Sequence, residues 1–447
     1  MQRTLLPLAV ASLGFTSGLS AQSSAPTIAD TTSNAFSYPS PLLSAEDRRA
    51  FVVGNSFFKA NWVERGASAK GLDGLGPLFN ARSCSSCHLR DGRSSPPASA
   101  DRERHGLLLR IGVRSADAPD AEHPRYGAQV QDVAIAGAKP EAVVRIDYET
   151  VVGRYGDGSE YELRRPTYRL ESLAYGELGD GTVLGPRVAQ HLIGLGLLES
   201  VAESRLRELA DPDDRDGDGV SGRVHVVHSA SCETEAAGRF GWKATQPTVL
   251  DQVAAAFVND IGITSDVFAD EALAASQSSL QPSGDRPEID RKKLDRVAFY
   301  TRTIAVPARR GADEPQALAG AQRFREFGCA ACHVPAHVTA ATAFLPAFAN
   351  VSFEPYTDLL LHDMGEGLAD GKRDGDARPA EWRTPPLWGL GLVETVNGHE
   401  RLLHDGRARG FAEAILWHGG EGERSKERFR LATKSQREEL IAFLRSL

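Results

Sequence analysis

A chain of 447 residues is too long for one ordinary hydrophobic core, and 41% apolar with 25% charged residues is the balance of a globular protein. A formal charge of −9 and a pI near 5.8 leave no basic footprint for nucleic acid. No run reaches the roughly 18 apolar residues of a membrane-spanning helix, so no span is expected.

In chain order, Met1-Gln-Arg3, an apolar stretch from Leu5 to Phe15 broken by Pro7, and Ser17-Gly-Leu-Ser-Ala21 read as a secretory signal peptide over 1–21. The mature chain is therefore expected in the periplasm, opening with a linker over 22–44. Residues 106–175 alternate apolar and polar side chains. Tyr155-Gly-Asp-Gly-Ser159 between Val143–Val152 and Tyr161–Leu170 predicts a β-hairpin, so this segment reads as a β-rich insertion. In Asp211-Pro-Asp-Asp-Arg-Asp-Gly-Asp-Gly219, the carboxylates Asp214, Asp216 and Asp218 fall at positions 1, 3 and 5 of an EF-hand-like loop, with Gly219 at position 6. The twelfth position is His225 rather than Glu, so the alternatives are a calcium loop and a solvated acidic turn. Helices are predicted over 250–260, 292–304, 411–418 and 435–447, with an irregular connection over 264–290 and a boundary at Pro307-Ala-Arg-Arg310. The expected domains are 45–305, holding the insertion, and 306–447.

The chemistry sits in the cysteines. Cys84-Ser-Ser-Cys87-His88 and Cys329-Ala-Ala-Cys332-His333 both have the form Cys-x-x-Cys-His. Two thiols three positions apart can each form a thioether to one edge of a porphyrin, and the following histidine then offers its imidazole to the iron. A chain of this composition would contain roughly 0.0015 such motifs by chance. A zinc site or a thioredoxin-like pair would leave both histidines incidental. The reading is two covalently bound haems c, with His88 and His333 as proximal ligands. Cys232 is left over, either free and buried or paired with another chain.

The two halves repeat an order. A Gly-Leu-Gly-Leu segment (Arg187–Glu199; Arg383–Glu394) follows each haem motif, then a Gly-basic-Ala turn (Gly241–Ala244; Asp405–Ala408), then a helix. These segments resemble the bacterial di-haem cytochrome c peroxidase superfamily, and more closely its di-haem oxidoreductase branch, over roughly residues 45–447. The resemblance rests on Asp73–Asn80, both haem motifs, Gly238–Lys243, Asn259–Thr264, Leu361-His-Asp-Met-Gly365, Trp382–Leu387 and Leu403-His-Asp-Gly-Arg407. It implies a sixth ligand on the second haem fourteen residues past His404, which is His418; Met364 is the rival. Six-coordinate iron cannot bind peroxide, so that haem would relay electrons. Over the first haem the resemblance implies Gln252 and, in the acid role, Asp260, one methylene shorter than the family's glutamate. An acid there can move a proton between the oxygens of peroxide. Trp242 corresponds to a tryptophan lying between the haems. His191 and His105 are further candidate ligands, read as packing or surface residues.

The expectation is a mainly α fold of two cytochrome c-like haem domains with a β-rich insertion in the first. It would be a periplasmic peroxidase-type oxidoreductase acting on a peroxide-like small substrate, with a small redox protein or cytochrome as electron donor. The alternative is a purely electron-transferring di-haem cytochrome.

Overall fold

Ser44 accepts the Asp47 N–H while Asp47 accepts the Ser44 N–H, and this capping box starts a helix over Ala45–Lys59 that buries Phe51 and Phe58. It packs on the Arg291–Arg302 helix, where Phe51 and Phe58 meet the Tyr300 ring at 4.6 and 5.1 Å. The computed structural model describes residues 26–69, 71–97, 106–115, 118–280 and 286–447. The signal segment over 1–21 and His105 lie outside these.

The mainly α, cytochrome c-like expectation is corrected by this structure: 29% of it is helix and 19% is strand, with no dominant helical architecture. Glycine (43 residues) and proline (24) punctuate the chain, and the longest described helix has 15 residues. Strand is also not confined to the insertion. Among the described residues there are six two-stranded antiparallel sheets. Some pair neighbours, as Val226–Ser229 does with Thr234–Ala237. Others join distant segments: Leu78 faces Ala134, and Leu107–Val113 runs against Thr182–Val188.

The longest pair is the expected hairpin, Val143–Arg154 against Glu160–Glu171, in register from Val143↔Glu171 to Arg154↔Glu160. Its outer face carries cross-strand ion pairs such as Arg145–Glu171 at 2.9 Å, exposed and of small energetic value. Its tip is held more firmly. The Gly156 N–H donates to the Arg430 carbonyl at 2.8 Å, Asp157 pairs with Arg437 at 2.8 Å, and the Arg437 guanidinium lies 3.9 Å from the Tyr155 ring centroid.

Both large cores draw on both halves of the chain. One packs Phe79, Ile193 and Phe257 with Trp388, Val393 and Val396. The other packs Phe324, Trp417 and Phe443 with Leu107, Val188 and Trp242. In the second, the Pro315–Glu326 helix crosses the C-terminal helix Lys434–Ser446, which Thr433 and Gln436 start with another capping box. The crossing is close because Gly320 has no side chain: a Cβ there would lie 1.9 Å from the Glu439 carbonyl oxygen. Gly320→Ala is therefore expected to force the helices apart and lower stability by about 1–3 kcal/mol. A chemical-denaturation midpoint equal to that of the unsubstituted protein would refute this.

Candidate haem sites

Cys84–Cys87 forms a single helical turn, which sets its two thiols on one side and closes with the His88 N–H donating to the Cys84 carbonyl at 3.0 Å. His88 Nδ1 lies 2.7 Å from the Gln190 carbonyl oxygen. A carbonyl only accepts, so Nδ1 carries the hydrogen and Nε2 keeps a free lone pair. Burial holds the His88 pKa down at about 4, so the ring is neutral and able to bind a metal.

Asp260 lies within electrostatic reach of both thiols. Burial first, and then the Asp260 charge, push Cys84 up to about 12 and raise Cys87 as well. The helix over Val249–Ala256 does not stop at Asp260 as an ordinary α-helix. It widens into a π-helical turn over Phe257–Ile261, a feature frequent at functional sites. The Asp260 carbonyl accepts the Asn80 and Ala81 N–H groups at 2.8 and 3.0 Å. Gln129 donates to Asp260 Oδ1 at 2.9 Å and to Asn80 Oδ1 at 2.8 Å, and Gln131 donates to the Asn259 carbonyl at 2.7 Å. Burial raises the Asp260 pKa, opposed by the Gln129 hydrogen bond and by Arg110. Gln252 is not part of this network; its amide oxygen lies near Gly241, 3.7 Å from where a Cβ would stand.

At the second motif, Gly328 with φ 86° turns the chain out of the preceding helix into a short turn over Cys329–Ala331. His333 Nδ1 lies 3.0 Å from the Tyr356 carbonyl and His418 Nδ1 2.7 Å from the Ala414 carbonyl, so both rings again present a free Nε2. Burial lowers both pKa values, that of His333 to about 4. Cys329, Cys332, His333, His418 and Met364 line one cavity of about 1470 Å³, counting its open mouth. Met364 and His418 are neighbours there: a Cβ on Gly422 would meet Met364 Cε at 3.0 Å and His418 Cβ at 3.1 Å. Trp242 lines the same cavity, its Nε1 donating to the Val188 carbonyl at 2.8 Å. Two thiols and a free imidazole nitrogen on one turn, repeated at the second motif, form a donor set that fits haem.

Several neighbours of these sites escaped the sequence reading. Gln129 and Gln131 reach Asn259 and Asp260 across about 130 residues, with no local signal. His362, inside the quoted Leu361–Gly365 segment, is clasped by Asp358 at 2.8 Å and Glu421 at 2.6 Å and stands 3.5 Å from Cys332 Sγ. Burial opposes its charge, but the Asp358 carboxylate prevails and raises its pKa well above the ordinary value. His191 is buried with Nδ1 unpartnered. Asp214, Asp216 and Asp218 bring carboxylate oxygens within 4.8 Å of one another in an exposed turn. His225 is turned away, its Nδ1 donating to the Lys243 carbonyl at 2.8 Å, so it does not close that loop. Cys232 is exposed.

A sequence model of the family described as "Di-haem oxidoreductase, putative peroxidase" matches residues 19–447. The chain belongs to this family. Haem is thus the cofactor that di-haem oxidoreductase membership points to, and the paired motifs are the places where the donor sets fit it. No curated protein matches the sequence. Among solved structures, a hydrazine synthase of Kuenenia stuttgartiensis pressurised with 20 bar xenon is similar at 12% identity and a TM-score of 0.38, covering 99% of this chain and 100% of that one. A likeness that distant carries no argument.

Behind Gln131, the buried Glu141 carboxyl accepts the Gln131 N–H at 2.6 Å and the Gln277 amide, and burial pushes its pKa from 4.5 up to about 8. It takes up a proton on folding between those values. Stability is therefore expected to fall as pH rises from about 4.5 to 8, by at most ~1.4 kcal/mol per pH unit from this group. Melting temperatures across that range should show a shallower decline for Glu141→Gln; identical slopes would assign the dependence to other groups.

Proposed function

We propose that this chain is an exported, periplasmic peroxidase-type oxidoreductase that carries its two haems covalently through Cys84/Cys87 and Cys329/Cys332. The observation that carries this reading is the asymmetry between the two sites. Around the second, two imidazoles with free Nε2 atoms, His333 and His418, line one cavity. Near the first, an acid–amide pair, Asp260 and Gln129, stands within electrostatic reach of the Cys84 and Cys87 thiols. One site is thereby suited to a closed, electron-relaying iron and the other to an open one.

Haem bound at these positions would supply the iron and pass on the electrons received from the donor protein. The chain's own groups do the rest. Hydrogen bonds to Gln190 and Tyr356 fix the two proximal imidazoles and raise their basicity. Asp260, with its pKa raised by burial, retains a proton at higher pH than an exposed carboxyl and can lend and recover it; Gln129 holds its Oδ1. Trp242, wedged between Val188 and the second cavity, is offered as the bridge between sites. His418 is preferred to Met364 as the sixth ligand because its ring is already held by the Ala414 carbonyl. The substrate is a small peroxide and the donor a small redox protein. The N-terminal pattern over 1–21 supports export.

Purified from cells able to mature cytochromes, the protein should carry the mass of two haems. Asp260→Asn should lower peroxide turnover with a reduced cytochrome roughly 100-fold while leaving both haem spectra unchanged. An unaltered rate removes Asp260 from the mechanism. Two low-spin haems unresponsive to peroxide and cyanide would establish the electron-transfer alternative. His418→Ala should convert one haem from low to high spin, whereas Met364→Leu should not; the reverse outcome makes Met364 the ligand.

A further inference from the structure

We propose that Arg93 and Arg383 form the anion-binding wall of the second haem cavity and hold the carboxylate groups of that haem. The inference rests on the functional reading above, since it requires haem in the cavity.

Buried cationic side chains cluster on and behind the wall of the second cavity, and they divide into two kinds. Arg187 pairs with Asp370 at 2.6 Å and Asp374 at 3.0 Å, Lys243 faces Asp370 at 3.4 Å, and Arg407 pairs with Asp405 at 2.8 Å. None of these three lines the cavity. Arg93 and Arg383 do line it, and they are 5% and 4% exposed. Among the described residues, neither has a carboxylate oxygen within 4.0 Å.

Their partners are all neutral. Arg93 Nε donates to the Arg401 carbonyl at 2.7 Å and its Nη2 to the Leu403 carbonyl. Arg383 donates to the Gly241 carbonyl at 2.9 Å, the Thr384 carbonyl at 3.1 Å and Gln190 Oε1 at 2.7 Å. A guanidinium has about five N–H donors, so both keep donors uncommitted. These bonds fix the orientation of each guanidinium but bring no carboxylate into contact with it. Asp405 and Asp358 offset the burial of Arg93 and Arg383 only from a distance, and a buried charge without a contacting counter-charge is costly. Burial lowers the pKa of both to about 10, whereas the nearby, equally buried Arg187 is raised by its two aspartates. Arg93 and Arg383 thus border the empty space with no carboxylate in contact, Arg187, Lys243 and Arg407 stand behind it with theirs, and Lys426, which also lines the cavity, is already paired with Glu423 at 2.6 Å. A ligand with two carboxylates, each matched by a planar guanidinium fork, completes the arrangement.

The wall also touches the first site. Gln190 accepts Arg383 on its side chain and His88 on its backbone carbonyl, so one residue joins the anion wall to the proximal imidazole of the other haem.

The test is spectroelectrochemistry on the haem-loaded protein, with haem number taken from the intact mass. A cation beside a haem favours its reduced form. Arg93→Gln and Arg383→Gln should therefore each retain two haems while the midpoint potential of one haem falls, and Arg383→Lys, which keeps the charge, should recover part of the fall. Should Arg383→Gln not fold, Arg93→Gln and Arg383→Lys carry the comparison. Two haems with both potentials unchanged in the foldable Gln variants would overturn this inference alone. An unsubstituted protein without haem would instead overturn the functional reading on which it rests.

Discussion

The geometry of both candidate sites depends on one small interaction: an imidazole Nδ1–H bonded to a backbone carbonyl. It occurs at His88, His333 and His418, with acceptors on Gln190, Tyr356 and Ala414. Each bond settles which nitrogen carries the hydrogen and fixes the ring plane, so the other nitrogen is presented without rotational search. Desolvation acts in the same direction by keeping these rings neutral. For His88 and His333 the acceptors come from 102 and 23 residues away, so the presentation of the ligand is a property of the folded chain and not of the five-residue motif.

Around those rings the protein separates its buried charges by purpose. Lys243 and Arg187 sit over the Trp382 ring at 4.5 and 4.7 Å while bonded to aspartates, and His404 stacks on Trp382 at 3.8 Å. That cluster is internally neutralised and stiff. His404 itself is kept well below its ordinary pKa by burial and by the surrounding cations, which is why it can lie flat on an indole beside two positive groups.

The sequence disclosed what is local. Both Cys-x-x-Cys-His turns, the hairpin and its tip, and the closing helix were readable because their signals lie within a few residues. The mainly α expectation failed for the complementary reason. Strand pairs such as Leu78↔Ala134 and Leu361↔Arg383 are set by long-range pairing, which leaves no periodic trace in strands of two or three residues. The hydrogen-bonded support of Asp260 was hidden likewise: Asn80, Gln129 and Gln131 are polar residues whose partners lie far along the chain. Gln252 was carried by resemblance, and its amide oxygen stands by Gly241. Arg383 sat in a quoted segment, yet its lack of a counter-ion becomes visible only once Arg187 and Lys243 are seen paired nearby.

The hairpin over 143–171 has one further consequence. Its tip is bonded to the Arg430 carbonyl and clasped by Arg437, on the two helices that close the second core, and Tyr168 on its second strand reaches Asp405 at 3.1 Å. An arm tethered at both its base and its tip cannot change length by a residue or two without losing one anchorage or buckling between them. Drift among related sequences should therefore accumulate as exchanges of the outward charges, where Arg145 and Glu171 can swap sign together, while insertions and deletions are confined to loops that end in solvent, such as the acidic turn at 211–219.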